Sequence, residues 1–309
     1  MLDHIHIENF RMFRELDIPK VGQVNLITGK NNAGKTTILE ALRLYDNILC
    51  HQFPNPDILL TLLKERGDEG MHTLAHGRQE FPFSFSVNGL EIEISYTDIQ
   101  IKQIPKVKTY FEVPLTINVR TLKSGLDESN FIPANFLLTN VRLWKDIELT
   151  DKEDKVADIL KIIEPKIVRV SVDADGTAKV RLSNSSRPLP LKNFGEGMNR
   201  LLTIALGLVS AENNMLLIDE IDLGLHHSVQ HLLWKIVFQK AKDLNVQVFA
   251  TTHSSDCVEA FSNIANKLEY EGMGNYIRLQ RSKKDGNIMA VDYEMEQLEN
   301  ALDLNSETR

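Results

Sequence analysis

The stretch that most limits what this chain can fold into is Gly29-Lys30-Asn31-Asn32-Ala33-Gly34-Lys35-Thr36-Thr37. It fits G-x-x-x-x-G-K-[ST], a loop whose backbone N–H groups cradle phosphate. Such a loop needs a buried strand before it and a helix after it. Val24-Asn25-Leu26-Ile27-Thr28 is a short apolar run that reads as the strand, and Lys35 to Leu49 carries helical spacing. The glycines admit a tight cradle, and the helix N-terminus adds a partial positive charge. Lys35 is placed to reach the β- and γ-phosphates of a nucleotide, and the Thr36 hydroxyl to ligand Mg²⁺.

Composition narrows the setting. With 309 residues the chain makes one large domain or two modest ones. A net charge of −8 gives no global basic field for DNA or a membrane surface, so nucleic acid is left with a local groove. Cys50 and Cys257 are the only cysteines, which implies no disulfide framework and points to a reducing cytosol. The N-terminus lacks the basic and apolar regions of a signal peptide, and no apolar run approaches the ~20 residues of a membrane span. A cytoplasmic location without a membrane partner is expected.

Leu2 to Ile7 and Arg14 to Ile18 alternate as strands around Asn9-Phe10-Arg11-Met12-Phe13. His4 and His6 share a strand face, read as solvated rather than metal-binding. After the helix from Lys35 the pattern changes. A short helix is expected at Asp57–Lys64 and a loop at Glu65–Glu80. Phe81 to Val87 and Leu90 to Ile94 flank Asn88-Gly89 as a hairpin, and Tyr110 to Val119 is a further strand. Thr150-Asp151-Lys152-Glu153 is a capping box opening a helix to about Ile163, before Pro165. Ile167–Val172 and Ala178–Leu182 form a hairpin around Asp173-Ala174-Asp175-Gly176, an ordinary turn rather than a calcium loop. Gly195 is expected to open a long helix. Tyr276–Leu279 and Ile288–Val291 make a terminal hairpin, and a last short helix ends near Leu302.

The second half alternates strands and helices, which argues for a layered α/β core with a largely parallel sheet. Met215-Leu216-Leu217-Ile218 is a buried strand that ends in Asp219-Glu220, a Walker B pattern. It delivers both carboxylates to the sheet edge where open α/β folds bind ligands. Asp219 would hold the Mg²⁺ shell, and Glu220 would orient and deprotonate the attacking water. The next strand, Val246 to Ala250, ends in Thr251-Thr252-His253-Ser254, which places His253 as a γ-phosphate sensor. Gly195-Glu196-Gly197 precedes a helix and offers a second phosphate-facing start. Such a site is redundant within one subunit, so it is assigned to a nucleotide held by another copy.

Together these residues resemble the ABC-type ATPases of the SMC, RecF and OLD group, most closely the compact prokaryotic AAA-family ATPases of OLD-like type. Asn9-Phe10-Arg11 is similar to the N-terminal motif, Gly29–Thr37 to Walker A, and Gly195-Glu196-Gly197 with Arg200 to the ABC signature. Ile218-Asp219-Glu220 is similar to Walker B, Ile221–His226 to the D-loop, and Gln247–Ser254 to the switch-histidine strand. The resemblance implies a nucleotide contact for Arg11. Phe194 stands where the signature has a serine, and Gln52 and Gln79 are the candidates for a Q-loop. No long coiled coil is present, and the stretch after His253 is too short for a Toprim nuclease domain. His226, His227 and His231 are read as a solvated face rather than a zinc site.

The expectation is therefore an α/β protein with an ABC-type P-loop core, a mixed, largely parallel sheet and an antiparallel subregion. Residues 1–50 and 135–309 would form the ATPase domain, and 51–134 an inserted β-containing subdomain. The resemblance implies ATP and Mg²⁺ as cofactors and a head-to-tail homodimer or higher homo-oligomer. The output would lie in a separate effector, in a defence or DNA-maintenance system. Two alternatives stand beside it: an ATP-gated scaffold with negligible turnover, and a DNA-binding repair ATPase of RecF type.

Overall fold

The computed structural model describes residues 1–50, the strands at 83–87, 90–94, 98–103 and 115–118, and residues 130–135, 137–195 and 197–293, with isolated positions after that. The fold is organised by one six-stranded sheet. In chain order its strands are β3 (Val24–Gly29), β8 (Phe131–Ile132), β12 (Met215–Ile218), β13 (Gln247–Thr251), β14 (Gly274–Arg281) and β15 (Ile288–Tyr293). Across the sheet they lie in the order β15-β14-β3-β13-β12-β8. All adjacent pairs are parallel except β14 with β15.

Alternation along the central strands supplies two cores. Val24, Leu26, Leu216, Ile218, Val248 and Ala250 face one apolar cluster. Ile27, Met215, Leu217, Phe249 and Ile277 face the other. Because both faces are covered, these strands are apolar runs without a polar side. On the first face lie α2 (Leu137–Lys145), α3 (Lys152–Lys161), α4 (Gly197–Ser210), α5 (His227–Asp243) and α6 (Ser255–Ala265). Trp234 of α5 fills the gap to α6. Its ring stands edge-on to Phe261 at 4.9 Å, and its indole N–H donates to the Cys257 carbonyl at 3.0 Å.

On the second face lies α1 (Lys35–Cys50), the helix that follows the phosphate loop. Ile38, Leu39, Ala41, Leu42, Leu44 and Tyr45 are all buried, and so are Glu40, Arg43 and Asp46, so this helix is covered nearly all round and sits between two layers. The outer layer begins with β1 (Ile5–Phe10) and β2 (Phe13–Ile18), whose Ile5, Ile7, Phe10, Phe13, Leu16 and Ile18 pack in the same cluster. That hairpin continues into β4 (Phe83–Val87), β5 (Leu90–Ile94), β6 (Asp98–Gln103) and β7 (Leu115–Asn118), all antiparallel, in the order β2-β1-β4-β5-β6-β7. The strands from the middle of the chain thus extend a sheet begun at residue 5. The boundary expected at 134/135 falls just after β8, which belongs to the central sheet.

A small sheet of β9 (Ile167–Val172), β10 (Ala178–Leu182) and β11 (Leu189–Pro190) follows α3. The cap before α3 is shifted by one residue from the expected box. The Thr150 hydroxyl accepts from the Lys152 N–H at 3.2 Å, and the Glu153 carboxylate from the Leu149 N–H at 2.5 Å. Gly195 does not open α4. It follows a 3-10 turn (Leu191–Phe194) at φ +104, a conformation outside the helix, and the helix starts two residues later at Gly197. The expected elements at 57–64 and 65–80, the turn at 88–89, most of the helix near Leu302, and residues Gln52, Gln79 and Glu196 lie outside the described residues. Of the strand expected at 110–119, the described part is β7.

Candidate functional site

Three parallel strands stop at one edge of the central sheet: β3 in the phosphate loop, β12 in Asp219-Glu220, and β13 in Thr251-Thr252-His253. Their ends surround a polar cleft of roughly 220 Å³. Asn31, Asn32, Gly34, Lys35, Thr36 and Thr37 line it from the loop, and Asp219, Glu220 and His253 from the other two strands. Met12 lines it from the turn between β1 and β2.

The loop holds its shape through its own backbone. Gly34 has φ +94, and a Cβ there would lie 2.5 Å from the buried Phe13 ring and 3.0 Å from Met12 Sδ. The hairpin turn is therefore pressed against the loop, where a side chain has no room. Asn32 takes φ +61, which asparagine tolerates better than most residues. Ala33 is buried, and its N–H donates to the Lys30 carbonyl at 3.1 Å. Gly29 has φ +149, and a Cβ there would meet the Leu279 carbonyl at 2.6 Å. Lys35 is 6% exposed, and its ammonium donates to the Gly29 and Lys30 carbonyls at 3.0 and 3.3 Å. Burial lowers its pKa, against the opposing pull of Asp219 and Glu220.

The acidic turn is built differently. Thr36 Oγ1 lies 3.3 and 3.4 Å from the two Asp219 carboxylate oxygens. Thr251, on β13, donates its hydroxyl to Asp219 Oδ1 at 2.6 Å and accepts the Glu220 N–H at 2.9 Å. Arg200, on α4, is 1% exposed, and its guanidinium donates to the Asp219 and Glu220 carbonyls at 2.7 and 2.8 Å. It also reaches the carbonyls of Ile221 at 3.4 Å and Pro133 at 3.3 Å. Burial lowers the Arg200 pKa to about 10, opposed by Asp222, Asp219 and Glu220. Glu220 itself has φ +48. The left-handed region costs an L-residue roughly 1–2 kcal/mol, so this turn is held under strain. The Glu220 carboxylate is partly exposed in the cleft, with Oε1 4.0 Å from His253 Nε2.

The donor set fits a nucleotide with its divalent ion. A buried ammonium and a glycine-built loop at a helix start suit phosphate. A hydroxyl and a carboxylate 3.3 Å apart are the hard oxygen ligands that Mg²⁺ takes.

Not every residue expected at the site lies there. The Arg11 Nε stands 2.8 Å from Glu40 Oε2 of α1, both side chains are nearly buried, and Arg11 does not line the cleft. Neither do Gly195 and Gly197. Gly195 is exposed with open space around it, while a Cβ on Gly197 would meet Leu225 Cδ2 at 2.9 Å. Of the histidines, His226 caps α5 and His231 lies 3.4 Å from the Asn263 amide. Among the described residues the group with metal-ligand spacing is His6, Glu8 and Glu15, on the exposed side of the β1–β2 hairpin. Met12 and Thr251 have no individual place in the sequence reading. Met12 leaves no signal beyond its position in a turn, whereas Thr251 is the first polar residue after an apolar strand.

The likenesses to known proteins fall in one direction. A family model described as "AAA ATPase domain" matches residues 1–168 and 82–258. A Helicobacter pylori protein described as an ATP/GTP phosphatase is 22% identical over 332 residues, covering 87% of this chain and 90% of that one. A Lactobacillus acidophilus DNA replication and repair protein RecF is 46% identical over 41 residues, 13% of this chain and 11% of its own length. Among solved structures, a Pyrococcus furiosus Smc head domain with an extended coiled coil, bound to the C-terminal domain of ScpA, superposes with a TM-score of 0.58. That match covers 98% of this chain and 99% of that one at 9% identity, and so shows the fold.

Proposed function

The chain belongs to the AAA ATPase domain family, and on that premise we propose that it is an ATPase of the SMC and RecF type, a nucleotide-gated dimeric switch controlling a separate effector. The observation that carries this reading is the meeting of three strand ends around one cleft, with the signature glycines outside it. Lys35 and the loop N–H groups hold the β- and γ-phosphates of ATP. Thr36 and Asp219 hold Mg²⁺, which supplies positive charge to the phosphate oxygens when bound. Glu220 orients the attacking water and accepts its proton, and His253 senses the γ-phosphate across from it. Gly195 and Gly197 serve the nucleotide of a second copy, which supports a head-to-tail dimer that closes on ATP and opens after hydrolysis.

The partner is argued from the Smc head, which is held by a separate protein in its solved structure. By the same logic an effector docks here according to nucleotide state, in a defence or DNA-maintenance role. DNA binding of RecF type is the second reading, and the net charge of −8 weighs against it.

Complementation between two broken subunits tests the switch. Lys35→Ala lacks a working phosphate loop and Gly197→Phe lacks a working signature. A mixed dimer keeps one complete composite site, so ATPase activity should reappear when the two inactive proteins are combined. Full hydrolysis by wild-type protein that light scattering shows to be monomeric at every dilution overturns the composite site.

A further inference from the structure

Glu220 is the residue of the acidic turn that the chemistry needs, and its backbone sits in a region that a glutamate rarely adopts. Something must hold it there. Each backbone polar group of Asp219 and Glu220 has a partner. The Asp219 N–H donates to the Ile132 carbonyl at 2.9 Å, and the Glu220 carbonyl accepts the Leu223 N–H at 3.0 Å. The remaining contacts come from two buried side chains far away in sequence. Thr251 takes the Glu220 N–H and donates to Asp219 Oδ1. Arg200 donates to the carbonyls of Asp219 and Glu220 with the same Nη2.

We propose that Arg200 and Thr251 are positioning residues for ATP hydrolysis, a two-sided clamp that locks Glu220 in its left-handed conformation and so aims its carboxylate into the cleft. The inference rests on the reading of Glu220 as the group that orients the water. Thr251 closes the turn from the β13 side and Arg200 from the α4 side. A planar guanidinium spans several carbonyls at once, which a lysine ammonium on a single flexible stem does not. The threonine hydroxyl must donate and accept together, which serine reproduces and valine does not. Neither residue lines the cleft. Arg200 lies one helical turn after Gly197, so the clamp also hangs the acidic turn from the start of α4.

The test uses the full chain with ATP and Mg²⁺, and a double-mutant cycle separates positioning from general support. Thr251→Val and Arg200→Lys should each lower kcat by about 10–10²-fold, the size of a small misplacement of a reacting group. KM for ATP should stay within about threefold in each, because the phosphate loop is unaltered. Thr251→Ser should keep most of the turnover. In a Glu220→Gln background, the valine and lysine substitutions should change the remaining turnover by less than about twofold, since the group they aim is already disabled. Equal losses in both backgrounds, or an unchanged kcat in Thr251→Val, would overturn the clamp. Should Arg200→Lys unfold, as a thermal melt would show, Thr251→Val decides, being of like shape at the buried end of β13. If Glu220→Gln by itself leaves turnover intact, the reading of Glu220 as the base falls and the clamp falls with it. A loss in Glu220→Gln with additive partners removes the clamp and spares the base.

Discussion

The loop after β3 and the turn after β12 close the same edge of the same sheet, with β13 between them. The loop is made from nine consecutive residues and keeps its shape through glycines and its own carbonyls. The turn is two residues long and is shaped by side chains from α4 and β13, 20 and 31 positions away. The first is local and open to phosphate through its backbone. The second is tertiary, and its strained residue is held by buried donors. Local construction makes the loop sensitive to its own residues. Tertiary construction makes the turn sensitive to residues that do not line the cleft.

That difference predicts which function fails. Lys35→Ala should remove ATP binding itself, with affinity down by at least about 10²-fold, because a charge-assisted contact to phosphate is among the strongest a side chain makes. Titration calorimetry reads this directly. Thr251→Val and Arg200→Lys should bind ATP and turn it over about 10–10²-fold more slowly. If Lys35→Ala binds as tightly as the wild type and loses turnover only, the loop is not the binding element and the contrast collapses.

A second comparison sharpens the local side. Gly34 and Gly195 both have positive φ, but Gly34 faces the buried Phe13 ring and Gly195 faces open space. Gly34→Ala adds overpacking to backbone strain and should cost about 2–5 kcal/mol together with ATP affinity. Gly195→Ala meets backbone strain alone and should cost about 1–3 kcal/mol, leaving ATP binding by a single chain intact. Equal melting temperatures and equal affinities for the two variants would mean that the contact between hairpin and loop does not hold the cradle.

The same contrast explains what the sequence made legible. The phosphate loop, its strand and its helix are contiguous, so spacing and apolar runs were enough to place Gly29 through Thr37. The central strands were equally plain, since burial on both faces leaves apolar runs such as Met215–Ile218. The pairing was not plain. Nothing in Phe83–Val87 announces that it joins β1, and Tyr276–Leu279 reads as part of a hairpin without showing that β14 also runs parallel beside β3. The strand β6 was missed although Asp98-Ile99-Gln100-Ile101 alternates, because the run is short and lightly apolar. Arg200 resembled part of a signature, yet its hold on the Asp219 and Glu220 carbonyls is a contact across folded space. Arg11 shows the reverse. Its motif suggested a nucleotide contact, and the fold sets its guanidinium beside Glu40, outside the cleft lining.

The smallest effect concerns the cost of keeping Lys35 ready. Its ammonium is buried, and burial lowers its pKa in the fold below the ordinary 10.5. A cation whose folded pKa is depressed gives its full contribution to stability above the unfolded value. That contribution is lost as pH falls through the folded value. At neutral pH the charged lysine is therefore a net burden on the nucleotide-free fold, eased by its bonds to the Gly29 and Lys30 carbonyls. Lys35→Met, of similar length and uncharged, should melt at the same temperature as the wild type or a few degrees higher at pH 7, by about 1–3 °C for a chain of this size. The gap should shrink as pH rises from the lowered pKa toward 10.5, where the wild-type lysine becomes neutral in both states. ATP should reverse the order, because a ligand at 100 times its Kd adds about 2.7 kcal/mol to the protein that binds it and nothing to the one that does not. A Met variant that melts well below the wild type without nucleotide would show that Lys35 is chiefly a tie across its own loop. The loop would then be a structural turn as self-sufficient as its glycines allow, and the strain in this site would belong to the acidic turn alone.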